Sequence, residues 1–203
     1  MRCARGLIVV AGLACAAGVA RADVIGFESD VFASTEQLGA FEGTLSYNPA
    51  LAELVISITN TTPASIGGYL TGIVFKIDST DPGATATLIS ANVPFQNTGS
   101  ASAAPFGTFD AGAALGGNWL GGGSPNSGIA VGQTGVLTFS VSASDAASLT
   151  AMSFIGSSSE PGFVARFRGM SQGGSDKVPG VIPSPAGLAA LAGAGVLAGR
   201  RRR

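Results

Sequence analysis

Glu53-Leu54-Val55-Ile56-Ser57-Ile58-Thr59 sets Leu54, Ile56 and Ile58 in alternation with Val55, Ser57 and Thr59. A period of two sends the first set to one face of an extended chain and the second to the other, the pattern of a half-buried β-strand. Just upstream, Gly43-Thr44-Leu45-Ser46-Tyr47 is a second alternating run, and Asn48-Pro49 between the two is a turn signal, so a hairpin is expected. Downstream, Ile73, Phe75 and Ile77 alternate with Val74, Lys76 and Asp78. Asp81-Pro82-Gly83 then turns the chain into another strand over residues 84–91. Leu137, Phe139 and Val141 share one face of a later run, as do Phe163, Ala165 and Phe167. Arg166 and Arg168 fall on the opposite face of that last run, where solvent and cross-strand acids are the expected partners. Ser144 is placed to cap a helical turn over residues 145–149. Residues 107–128 are crowded with glycine and read as one long loop. Short strands, glycine-rich turns and almost no helical periodicity predict an all-β protein, a single β-sandwich of jelly-roll or Ig-like type.

Composition narrows the function. Only 11% of residues are charged, against a typical value of about 25%. The 31 glycines and 10 prolines make up about a fifth of the chain, below the roughly 25–30% that marks unstructured low complexity. The formal net charge of −1 hides a division. Seven basic residues lie at the ends: Arg2, Arg5, Arg21 and Arg200 to Arg203. The segment between keeps Lys76, Arg166, Arg168 and Lys177 against all twelve acidic residues, a net −8. Such a surface repels phosphate backbones, so no nucleic-acid partner is expected.

Both ends carry targeting patterns. Met1-Arg2-Cys3-Ala4-Arg5 is a positive start, and residues 6–19 are apolar, the length of a signal-peptide core and too short for a spanning helix. Ala20-Arg21-Ala22 has the small-x-small form of a cleavage site, which makes Asp23 the expected new N-terminus. A retained anchor and lipid attachment at Cys15 are the alternatives. At the other end, Pro183-Ser184-Pro185 precedes AGLAALAGAGVLAG over residues 186–199, and Arg200, Arg201, Arg202 and Arg203 close the chain. Proline breaks any preceding helix and holds the backbone extended. A short hydrophobic helix is expected next. Its fourteen residues at about 1.5 Å each fall short of a bilayer core of about 30 Å. The arginines are expected to stay cytoplasmic. This order divides the chain into a signal peptide (1–22), an extracellular β-domain (23–180) and a sorting or anchor tail (181–203).

The tail resembles a PEP-CTERM sorting signal, in the Pro-x-Pro variant of planctomycete-like bacteria, with Ser184 where glutamate is usual. The resemblance implies an exported protein that is substrate to an exosortase-type transpeptidase and passes transiently through the inner membrane. The same resemblance implies a final place on the cell surface or in the extracellular, biofilm matrix. The segment between the ends also resembles extracellular domains carried ahead of such tails. That likeness rests on Gly68-Tyr69-Leu70-Thr71-Gly72, on Leu115 to Gly123, and on Phe163 to Gly169 followed by Gly174-Ser175-Asp176-Lys177-Val178. It implies no established activity.

Catalytic chemistry has few residues to use. Histidine is absent, and both cysteines, Cys3 and Cys15, precede the expected cleavage site. Ser-His-Asp and Cys-His catalysis and His-based zinc sites are thereby excluded, and a non-enzyme without cofactor or metal is expected. Ser124 lacks the second flanking glycine of a nucleophile elbow. Two carboxylate pairs, Glu28 with Asp30 and Asp78 with Asp81, are the residues a glycoside hydrolase would need, and each sits by a turn. Asp78-Ser79-Thr80-Asp81-Pro82-Gly83 offers oxygen ligands without the alternating spacing of a calcium loop. Trp119, the only tryptophan, stands among glycines. There it either stacks on the ring of a polysaccharide sugar, as in a carbohydrate-binding module, or anchors its own loop. A structural or interaction protein is the leading expectation.

Overall fold

The computed structural model describes residues 21–157 and 160–183, and these form an all-β domain. The first strand, β1 (Asp23–Ser29), leads through a short 3-10 turn, Val31–Ala33, to β2 (Phe41–Asn48) and β3 (Glu53–Asn60). The predicted hairpin is present, in the register Leu45↔Ile56 and Tyr47↔Leu54. There follow β4 (Gly67–Phe75), β5 (Thr85–Ala91), β6 (Phe95–Asn97), β7 (Ala101–Ser102), β8 (Thr108–Phe109), β9 (Ala111–Leu115) and β10 (Ile129–Ala130). The described residues end with β11 (Thr134–Ser142), β12 (Gly156–Ser157), β13 (Glu160–Pro161), β14 (Phe163–Met170) and β15 (Ser175–Val181).

Ten of these strands make one antiparallel ladder, in the order β5-β11-β3-β2-β1-β15-β14-β4-β9-β6, with β10 added beside β4. Its two ends approach each other: the Leu88 N–H on β5 donates to Asn97 Oδ1 on β6 at 3.2 Å. The sheet is therefore nearly closed. Its lining is aromatic. Phe27 meets Phe163 edge-on at 4.9 Å between ring centres, Phe75 meets Phe139 at 5.0 Å, and Tyr47 meets Phe154 at 5.0 Å. Such pairs add to simple area burial. At Gly43 on β2 an added Cβ would run into the Ser57 carbonyl and the Phe27 ring, so a side chain there would displace a core aromatic.

Two expectations are corrected. Residues 107–128 are not one loop, because they contain β8 and the fully buried strand β9. Ala-Gly-Ala-Ala-Leu gives no alternation, since both faces of β9 are covered. Asp145 precedes a 3-10 turn at Ala146–Ser148, and no side chain caps that turn.

The loss of alternation has a common cause. On β4 and β14 the outward-facing Val74 and Val164 are as buried as the core. They belong to a second apolar cluster with Ala103, Phe109 and Trp119, laid over the outside of the sheet by the loops around β7, β8 and β9.

Candidate functional site

The loop of residues 116–124 lies across β14 and is held by arginine. Arg166 donates from Nη1 to the Trp119 carbonyl at 2.7 Å. Arg168 donates from Nη1 to Gly122 at 2.9 Å and from Nη2 to Gly123 at 3.3 Å. Lys177, opposite Arg166 on β15, donates to the Ala104 carbonyl. The expected cross-strand carboxylates are thus replaced by backbone carbonyls. The reason lies in the neighbouring strands: Arg166 faces Lys177 on one side and Gly72 on the other. Among the described residues the one ion pair is Lys76–Glu160, at 3.3 Å.

Trp119 is 5% exposed. Its ring closes the second apolar cluster and leaves little face for a sugar to stack on, as expected of a loop anchor. Its edge borders a groove of about 320 Å³ with Thr98, Ser100, Ser102 and Asn118. Burial, then the charge of Arg168, lowers the proton affinity of Arg166, and burial, then Arg166, does the same to Lys177.

The carboxylates of the two candidate pairs are engaged separately. Asp30 accepts from the Ala33 N–H at 3.2 Å, while Glu28 sits exposed on β1 opposite Glu42. Asp81 accepts from Gly83 at 2.9 Å and from Ser144 at 2.7 Å. Those two N–H groups hold its carboxyl below the usual range. Asp145 accepts from the Ser79 hydroxyl and from the Thr80 N–H and hydroxyl, which lower it likewise. Asp78 is exposed in a different groove, beside Asp110 and the Lys76–Glu160 pair. Among the described residues no three metal-ligating side chains gather. The Ser124 hydroxyl donates to Asn126 Oδ1 at 2.7 Å, with no base in reach of the bond.

One residue escaped the sequence reading. Asp176 is fully buried, and its two carboxylate oxygens accept from Thr35 Oγ1, Glu36 N, Leu38 N and Gly39 N at 2.8–3.0 Å. It fixes the segment between β1 and β2 to the last strand. Of the targeting residues, Ala22 is exposed just ahead of β1 and Pro183 follows β15, while Ala20, Ser184, Pro185 and Arg200, Arg201, Arg202 and Arg203 lie outside the described residues. No described helix is long and apolar enough to cross a membrane.

Fold and site together define an all-β domain with a basic, loop-covered shelf on an otherwise acidic surface. Comparison with protein-family models, with curated proteins and with solved structures found no match.

Proposed function

We propose that this chain is an exported structural or interaction protein of the cell surface or extracellular matrix. In this reading it is processed by an exosortase-type transpeptidase and anchored transiently in the inner membrane. Its β-domain is a sandwich whose layers are the halves of the sheet on either side of the β1–β15 seam. The protein is substrate rather than catalyst. The observation that carries the reading is the C-terminal order Pro-Ser-Pro, apolar stretch, arginine cluster. The strand limits support it: β1 opens at Asp23, directly after Ala22, and β15 closes at Val181, two residues before Pro183. A folded body between those points is what two trimming events would leave.

The test is mass spectrometry of the termini in fractionated cells. Wild type is expected to begin at Asp23 and to lose its tail. Charge at the bilayer centre costs at least about 2.5–3.5 kcal/mol, so four arginines resist translocation. Replacing Arg200 to Arg203 with serine should release unprocessed protein. Deleting Pro183 to Pro185 should leave full-length protein in the inner membrane. Wild-type trimming of both variants would sink the reading.

A further inference from the structure

Three of the four cations between the two terminal patterns meet on one shelf: Arg166 and Arg168 on β14 and Lys177 on β15. Arg166 and Lys177 stand opposite each other in register, an arrangement that repels. No described carboxylate forms an ion pair with any of them. Their protein partners are carbonyls of Trp119, Gly122, Gly123 and Ala104, which carry partial charge only. Two donors of the residues in this contact, Trp119 Nε1 and Arg166 Nε, are buried with no acceptor among the described residues. Folded proteins rarely leave such donors unmet, and each instance calls for a physical explanation. An anion would bring both negative charge for the three cations and acceptor oxygens for the two donors.

The adjoining groove indicates what carries the anion. Its volume of about 320 Å³ lies at the small end of ligand pockets, roughly 300–1,000 Å³. Thr98, Ser100, Ser102 and Asn118 line it with hydroxyl and amide groups, the usual partners of sugar hydroxyls, and Trp119 joins it to the shelf. Apart from the buried Asp176, the remaining surface has eleven acids and Lys76, so it repels long polyanions and anionic membranes alike. One charged unit at a chain end suits the shelf better than a polymer lying along it. The wall between groove and cations is the glycine loop, in which Gly116, Gly117 and Gly123 hold left-handed φ angles of 63°, 66° and 63°. Glycine moves through such conformations at little cost.

We propose that the shelf binds one carboxylate-bearing sugar, such as the terminal uronate of an acidic polysaccharide, through Arg166, Arg168, Lys177 and the Trp119 indole N–H. This deepens the carbohydrate-binding alternative and does not rest on the sorting reading, since it needs no tail processing. The emission of Trp119, the only tryptophan, reports on the site directly. Full-length protein titrated with trigalacturonate should show a saturable change that weakens with added salt. Maltotriose, a neutral α-1,4-linked trisaccharide, should give none. Lys177→Gln and Arg168→Gln, checked for wild-type circular dichroism, should each weaken binding by about tenfold or more. Should one variant fail to fold, the other still decides. Equal binding of maltotriose, tighter binding of inorganic phosphate or of phosphatidylglycerol vesicles, or no response at millimolar trigalacturonate would overturn the assignment.

Discussion

The Arg166 guanidinium reaches across 47 residues of sequence to the carbonyl of Trp119, at 2.7 Å, and so ties a glycine loop to the outer face of β14. Arg168 makes the neighbouring tie to Gly122 and Gly123. Replacing Arg168 with alanine removes two charge-assisted bonds from a half-exposed position, a loss of about 1–2 kcal/mol. Trp119 emission should shift to the red and proteases should cut within residues 116–123. Unchanged emission and unchanged cutting would show that the apolar cluster holds the loop by itself.

Asp176→Asn should cost more, about 2–4 kcal/mol. Each carboxylate oxygen accepts two hydrogen bonds, and an amide offers only one oxygen, turning its NH₂ toward donors. Urea denaturation reads the loss. Hydrogen exchange should locate it at Glu36, Leu38 and Gly39, and protection retained at those amides would count against the assignment.

Acid should loosen the turn that joins Asp81 to Ser144 and Asp145 to Ser79 and Thr80. Both carboxyls are lowered from a reference of 3.8 by the hydrogen bonds they accept. Their stabilisation is therefore complete above about pH 4 and is lost as pH falls through the lowered folded values. The double variant Asp81→Asn, Asp145→Asn should show a shallower fall in Tm between about pH 4 and pH 2. A slope equal to wild type would assign acid sensitivity to other groups.

On the proposed cleavage after Ala22, reductant should leave the melting temperature of the exported protein unchanged, because Cys3 and Cys15 both precede that point. A shift with dithiothreitol would show that at least one of those cysteines remains in the folded protein.

Legibility followed solvent. β3, β5 and β11 were readable because one face of each is wet and the alternation survives. β9 was lost because its five residues are all buried, and β15 because Pro179 and Gly180 interrupt its apolar pattern. Pro179 is tolerated opposite Val164 in the ladder, where its carbonyl also accepts from the Asp30 N–H at 2.8 Å. Arg166 and Arg168 were placed on the correct face, but their partners were not, because the loop that supplies the carbonyls lies more than 40 residues away. The role of Asp176 was invisible for the same reason: its four donors are about 140 residues upstream.

The β1–β15 seam has a consequence for the order in which the molecule assembles. Glu28 pairs with Val181 and Ser29 with Gly180, so the first described strand is completed by the last. Synthesis delivers β1 with β2 soon after it, yet the other edge of β1 waits for more than 140 residues to follow. Closing so large a loop is entropically costly and slow, and an open edge invites pairing with other chains. A chain that stops short of residue 175 leaves both β1 and β14 with a bare edge and lacks the Asp176 latch. Truncated chains should be the ones that aggregate or fall to proteases, which makes this topology its own check on completeness.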